Sequence, residues 1–380
     1  MKEGWTYKKF GEVCSYHKEQ GSFQNLPYVG MEHMESCTGK LLGTISSNSV
    51  LSSSFKFNKG EILYGRLRPY LKKVYVAEFD GCCSTEVFPI NSDSIEPGFI
   101  KYWFLSDKIT NMVNKTSAGC RMPRGNMNEV KNFLIGFPED RKEQKRIVKR
   151  LDAAFENIDK LKANAEKQLA EAQTLFQKSL AKAMEPKEGW EEKTMSEITE
   201  VKDGTHDSPK YVTEGIPFVT QKNITINGFD LINTKKITLE DHKKFYTRSN
   251  VEFGDIIIAM IGANRGMSCI VNTREIFSIK NVGLIKKTDN INMRFLLYYL
   301  HSPAANSYVL ENSNGGAQEF IGLKGLRNFP IQFPPLAEQQ RIVERLDALS
   351  ENIRKYEEIQ RQIISECDAL KQALLRKVFE

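Results

Sequence analysis

The 380 residues lack the short motifs around which many active sites are built. There is no GxxxxGK[ST] phosphate loop, no GxGxxG turn, no HExxH zinc pair, and no tetrapeptide opening with Asn-Pro-Pro or Asp-Pro-Pro of the kind that grips a flipped base in amino-methyltransferases. Phe333-Pro334-Pro335-Leu336 has the prolines without the polar first residue. The five histidines are scattered, and no nucleophile, base and oxyanion donor fall into a recognisable set. Seven cysteines form no CxxC pair and no zinc spacing with histidine, which points to reduced thiols, with neither a disulfide framework nor a metal site. No apolar run approaches the roughly 18 to 20 residues of a membrane span, and MKEGWTYKKF has no apolar signal core. A cytoplasmic binding protein with no membrane association is expected.

What is present is a duplication. PEDRKEQKRIVKRLDAAFENIDKL, from Pro138 to Leu161, returns as PPLAEQQRIVERLDALSENIRKY, from Pro334 to Tyr356. Both copies continue in heptads. Ile147, Leu151, Ala154, Ile158, Leu161, Ala165, Gln168, Ala172, Leu175 and Ser179 are expected to face inward, as are Ile342, Leu346, Leu349, Ile353, Tyr356, Gln360, Ile363, Cys367, Leu370 and Leu374, each 195 positions later. A strict 3.5 period keeps an apolar seam on one partner only if two helices supercoil left-handedly. The prolines at Pro138 and Pro334-Pro335 fit helix first turns, where the N–H groups lack intrahelical acceptors. Each helix then runs about 45 residues, roughly 70 Å at ~1.5 Å per residue, which suits a spacer.

The preceding parts repeat as well. Lys2-Glu3-Gly4-Trp5 answers Lys187-Glu188-Gly189-Trp190, Pro27-Tyr28-Val29 answers Pro217-Phe218-Val219, and Gly60-Glu61-Ile62-Leu63 answers Gly254-Asp255-Ile256-Ile257. Tyr102-Trp103-Phe104-Leu105 answers Leu297-Tyr298-Tyr299-Leu300, and Asn132-Phe133 answers Asn328-Phe329. Short β-branched or aromatic runs at 60–65, 73–79, 254–261 and 268–272 read as strands. One apolar helical stretch closes each half, near 98–114 and 292–310, before a glycine-rich loop and a last strand. The domains are expected at 1–135 and 187–330, with spacer helices at 136–186 and 331–380. The fold class is α+β: two domains related by a pseudo-twofold axis and joined by a long antiparallel two-helix coiled coil.

The formal charge is +6, and the excess sits mainly in residues 1–135, with 17 basic and 13 acidic side chains. So slight a balance permits DNA binding through local patches without demanding it. The segments suited to it are unlike in the two halves. Arg66, Arg68, Tyr70, Lys72 and Lys73 set basic groups around an aromatic on a proline turn, where Arg suits guanine and Lys suits phosphate. The matching turn offers Asn264 and Arg265 instead. The late loops add Arg121 and Arg124 in one half and Gln318 in the other. For Thr205 and His206, in Asp203-Gly204-Thr205-His206, a plain turn and a DNA contact both remain open. One scaffold with two unlike loop sets would read two unlike half-sites.

The twofold EQxRIVxRLD (Glu143–Asp152 and Glu338–Asp347), the Gly-Trp openings, the GEIL and GDII strands, and DGTH followed by Gly215-Ile216-Pro217-Phe218 together resemble the specificity subunit of type I restriction-modification systems. The resemblance spans the chain. It implies a non-catalytic subunit that reads a bipartite double-stranded DNA target and docks two modification (methyltransferase) subunits, and through them restriction subunits. No cofactor is implied for this chain; S-adenosylmethionine, ATP and Mg belong on the partner subunits. By resemblance, Glu143, Gln144, Arg146, Arg150, Glu338, Gln339, Arg341 and Arg345 lie on the docking segments. One departure is the first helix start, Pro138 to Lys142, which is one residue longer than its counterpart and lacks the double proline. The alternatives are a coiled-coil scaffold with no DNA role, a type IIB-like specificity subunit and, against the missing motifs, an autonomous enzyme.

Overall fold

Alternate side chains of Ile62–Gly65 enter two different cores. Ile62 and Tyr64 pack with the helices, while Leu63 packs with Val29, Phe57 and Val87. A strand buried on both faces needs an unbroken apolar run, which explains GEILYG. In the computed structural model, residues 2–17, 19–119, 121–225, 228–314 and 319–380 are described. They fall into two compact units, 1–166 with 361–380, and 167–360.

In the first unit Trp5–Lys9 pairs antiparallel with Leu134–Pro138, so the first and last strands lie side by side just before the long helix Arg141–Ala183. A four-stranded sheet runs in the order Ser15–Tyr16, Val87–Asn91, Ile62–Gly65, Val74–Val76. A five-stranded sheet lies on its other side of the core, with Pro27–Val29 parallel to Gly81–Ser84. The second unit repeats this plan. Glu191–Thr194 pairs with Pro330–Phe333, and the four-stranded order is Val201–Asp203, Val282–Ile285, Ile256–Ala259, Ser268–Ile270. Ile216–Val219 runs parallel to Ser278–Ile279. Ile256 and Ile258 enter one core, and Ile257 and Ala259 the other.

Each apolar stretch expected as one helix is two. Pro97–Leu105 and Asp107–Lys115 break at Ser106, and Met293–Leu300 and Pro303–Glu311 break before Ser302. Both serines are extended (ψ 141° and 154°) and bond nearby backbone with their hydroxyls, which offers the chain an alternative to the helical ladder. The helix repeat is also offset by one from the sequence match: the residue that answers Tyr102 in contacts is Tyr298.

The long helices are Arg141–Ala183 (43 residues) and Leu336–Phe379 (44 residues). Pro138 closes the last strand rather than opening the helix; Asp140 caps it, accepting from the Lys142 N–H at 2.9 Å. In the second copy the Pro335 carbonyl takes the first helical bonds. The helices pair antiparallel in each unit. In the first, Lys162 reaches Asp368 at 2.7 Å and Asp159 binds Lys371; in the second, Tyr356 donates to Gln168 at 3.0 Å. Part of the expected seam holds: Leu151, Ile158, Ala165 and Ala172, with Ile342, Leu346, Gln360 and Cys367, are buried. The alternate positions shift by one, leaving Leu161, Leu175, Tyr356 and Leu370 exposed while Phe155, Lys162, Phe176 and Lys371 turn inward. The heptad leaves two adjacent choices there, and the partner decides. Asp368 and Asp159 pair the ammonium groups of Lys162 and Lys371 and let their stems be covered.

Each globular part is fixed to its long helix by the same joint. The Gln144 amide is fully buried: Nε2 donates to the Pro138 and Ser94 carbonyls (2.8 and 3.1 Å), and Oε1 accepts from the Glu96 N–H (2.7 Å) at the start of the apolar helix. Gln339, also fully buried, donates to the Pro334 carbonyl (2.8 Å) and accepts from the Asn292 N–H (2.8 Å). Two turns on, Asp152 accepts from the Tyr102 hydroxyl and Asp347 from the Tyr298 hydroxyl, both at 2.6 Å. Burial, helped by Asp347, pushes the Tyr298 hydroxyl up to about 12, so it stays a donor. Gln144→Ala or Gln339→Ala should cost about 1–3 kcal/mol for each backbone group left buried and unpaired. Arg345→Ala on the exposed face should be near neutral, and chemical denaturation of the three variants checks the contrast.

Candidate nucleic-acid interface and docking face

The two kinds of segment expected to meet DNA lie together in the first unit. After Ile62–Gly65 the chain turns through Arg66 to Lys73, and residues 123–125 of the late loop are strapped to it by backbone bonds. Arg68 N–H donates to the Pro123 carbonyl (2.7 Å) and Gly125 N–H to the Arg66 carbonyl (2.9 Å). Pro69–Leu71 forms one 3-10 turn between two left-handed residues, Arg68 and Lys72 (φ 51° and 47°), a conformation non-glycine residues hold only when surroundings impose it. Tyr70 is exposed at its tip.

The cations differ in availability. Arg66 and Arg124 both donate from Nε to one carboxylate, Glu86, at 2.9 and 2.8 Å, and Arg66 lies over the Phe88 ring (5.4 Å). Arg121 is exposed and in no ion pair among the described residues. Arg68 is half-buried, and its Nε has no hydrogen-bond partner among them. Lys72, only 8% exposed, pairs with Asp107, and Lys73 donates to the Met31 carbonyl, so both serve the domain interior.

The second unit builds the same platform from other residues. The Gly262 N–H donates to the Glu319 carbonyl at 2.9 Å, and Ile261 bridges to Phe320 as Leu67 bridges to Arg124. The Arg265 guanidinium pairs with the Glu319 carboxylate and donates to the Gly262 carbonyl (3.1 Å), while its Nε is buried without a partner among the described residues. Asn264 is exposed. Gln318 lies outside the described residues. Thr205 is buried in its turn, where Gly204 passes so close to the Ile279 carbonyl that a Cβ would sit 2.4 Å from it. His206 is exposed and bonds Asp203 (3.0 Å) and Asn281 (2.8 Å); Asp203 also takes a bidentate Arg248.

The residues assigned to docking divide in the same way. Arg150, Arg341 and Arg345 are exposed without hydrogen bonds or ion pairs among the described residues, and Arg146 pairs along the helix with Glu143. Gln144 and Gln339 lie inside the joints, not on an outer face. Glu338 ties down the second domain's opening, accepting from Lys187 (2.9 Å) and the Trp190 indole (3.0 Å); chiefly the Lys187 bond holds its carboxyl below the ordinary range.

Sequence reading missed Glu86, Phe88 and Gln221. Glu86 stands 20 residues from Arg66 and 38 from Arg124, and nothing in its neighbourhood marks it. Gln221 follows Ile216–Val219 and lies against Gly262, with its Oε1 buried and unpartnered among the described residues. Its only sequence signal is its place just past the strand that answers Pro27-Tyr28-Val29. Among the described residues, three of the four buried side-chain polar atoms without partners, on Arg68, Gln221 and Arg265, thus sit at the two turns. Such atoms are rare in native interiors and call for an explanation. Among the described residues no group of three or more His, Cys, Asp or Glu could hold a metal ion, and no helix is long and apolar enough to cross a membrane.

Burial would raise the Glu86 carboxyl, but the bonds from Arg124 and Arg66 outweigh it and hold the group below 4.5. A depressed folded pKa means the clamp's stabilisation is present above the ordinary carboxylate range and is lost as pH falls through the folded value. In a carboxyl-carbon NMR titration Glu86 should stay ionised below 4.5, and Arg66→Ala should move its midpoint back toward 4.5. A midpoint that ignores Arg66 would contradict the clamp.

The family described as the type I restriction modification DNA specificity domain matches residues 2–171 and again 187–364. The type I restriction enzyme EcoDI specificity subunit of Escherichia coli is 33% identical over 184 residues, covering 47% of this chain and 41% of that protein. The EcoBI specificity subunit, also from Escherichia coli, is 24% identical over 184 residues, covering 44% and 35%. The matched part is therefore less than half the length of these relatives. A chain in a structure of the complex assembly and conformational transition of the type I R-M system has a TM-score of 0.82 at 23% identity, covering 100% of this chain and 98% of that one. The HsdS subunit from Thermoanaerobacter tengcongensis has a TM-score of 0.62 at 24% identity, covering 99% and 97%. The fold is shared with both, and the doubled match, taking in most of the residues, makes this chain a member of the type I restriction modification DNA specificity family.

Proposed function

We propose that the chain is a DNA-specificity subunit of a type I restriction-modification system, working in the cytoplasm. The domains at 1–135 and 187–330 each read one half of a bipartite double-stranded target. The helices at 136–186 and 331–380 join them and carry the docking faces. The observation that carries the reading is the doubled specificity-domain match, with an unlike polar turn and late loop strapped together in each copy. Phosphate contacts fall to exposed cations such as Arg121, and base contacts to Arg66, Arg124, Asn264 and Arg265 on the strapped platforms. Two modification subunits dock on the exposed sides of the EQxRIVxRLD segments, where Arg150, Arg341 and Arg345 are free for a partner's carboxylates, and restriction subunits join through them. The chain itself supplies no chemical step; S-adenosylmethionine, ATP and Mg belong to the partners.

The test is retardation of duplex DNA by the chain assembled with its methylating subunit, across a salt series. If Arg121 touches phosphate, Arg121→Ala should weaken binding to all sequences alike and reduce the salt slope by about one. Failure to retard any duplex at low salt would overturn the reading in favour of a protein scaffold.

A further inference from the structure

Glu86 occupies a particular place in the first platform. It lies between the turn and the late loop, at the start of Val87–Asn91, and its two oxygens are both taken, Oε2 by Arg66 Nε and Oε1 by Arg124 Nε. Its backbone joins the same strap, the Arg66 N–H donating to the Glu86 carbonyl at 2.9 Å. With Nε committed, each guanidinium keeps its Nη edge for something else. Arg66 makes no other hydrogen bond among the described residues, and Arg124 adds only a 3.5 Å contact from Nη1 to the Met122 carbonyl. Both stay partly open, with side chains 33% and 44% exposed, while Glu86 is 22% exposed beneath them. The Arg66 guanidinium also lies over the Phe88 ring, 5.4 Å from its centroid.

We propose that Glu86 is a positioning residue that holds Arg66 and Arg124 as a pair of neighbouring guanine-reading forks. This rests on the DNA-specificity reading above and names what one half-site must contain. A guanidinium held at Nε has given up its side-chain freedom before DNA arrives, which favours a contact where direction matters. The guanine edge, with O6 and N7 side by side, asks for such a planar fork. A phosphate asks less, since a lysine point charge also serves, and a carboxylate beside the DNA backbone is repelled by it. Next to a base pair the same carboxylate is tolerated, because cytosine presents an N4 donor in the same groove. Among the described residues of the second domain Glu319 pairs with Arg265 and no other cation, so the paired-guanine signature is assigned to the first domain.

The experiment selects a duplex library, randomised across both half-sites, with the full chain assembled with its methylating subunit. The unmodified chain should enrich guanine at two positions of one half-site. Arg66→Ala and Arg124→Ala should each cut that preference at one position by about 5- to 150-fold, the span of a lost bidentate contact. Glu86→Gln, which keeps the volume but can no longer accept from both arginines, should flatten both positions and leave the other half-site as selective as before. If Glu86→Gln instead binds every sequence more tightly with unchanged preferences, Glu86 only masks charge and the proposal fails. Guanine preference that survives both alanine substitutions, with binding weakened for all sequences alike, makes these phosphate contacts, which also overturns it. Should Glu86→Gln lower the melting temperature, the alanine variants decide alone. A wild-type chain that enriches no sequence removes the specificity function itself, a different failure from enrichment without paired guanines.

Discussion

A buried glutamine amide near the start of each long helix is the constraint on which the rest depends. The segment before each long helix and the start of each apolar helix bring backbone groups that no regular ladder satisfies, and the side chains of Gln144 and Gln339, on the long helices, satisfy them. Buried backbone groups left unpaired would cost as much as a lost hydrogen bond, so the amide decides how the sheet layer meets the helix. The carboxylates of Asp152 and Asp347, taking tyrosine hydroxyls, fix the same junction two turns further on. The repeated EQxRIVxRLD is therefore a joint on its inner side. Its outer side, with Arg150, Arg341 and Arg345, stays exposed.

A rigid joint lets the loops vary. In both domains the turn after the central strand is zipped to the late loop by backbone hydrogen bonds, which make no demand on side-chain type. Side chains can then change without moving the platform. The first domain carries Arg66, Arg124 and Glu86, the second Asn264, Arg265 and Glu319. The central strands beneath are buried on both faces, so loop substitutions sit on one of the most tightly packed parts of each domain.

The duplication, the central strands, the α+β class and the long helices were all legible in the residues, because period and repetition survive without tertiary information. The rest depended on partners distant in sequence. The heptad could not tell Leu161 from Lys162 as the inward residue, since Asp368 makes that choice. A glutamine in a charged helix start looks like surface, and only the Pro138 and Ser94 carbonyls explain its burial. Lys72 and Lys73 matched the composition of a DNA-contacting turn yet are spent on Asp107 and Met31. Glu86 was invisible because its meaning lies in two arginines far along the chain.

The central claim is that two unlike readers on one repeated scaffold each own half of a DNA target. Genome-wide mapping of methylated adenines in cells that carry this chain and its methylating subunit tests it most directly, once with the native chain and once with residues 187–330 replaced by those of a relative. Two short defined blocks separated by a fixed undefined gap, with only one block changed by the replacement, is the predicted result. A single continuous motif, or a replacement that alters both blocks, would contradict it.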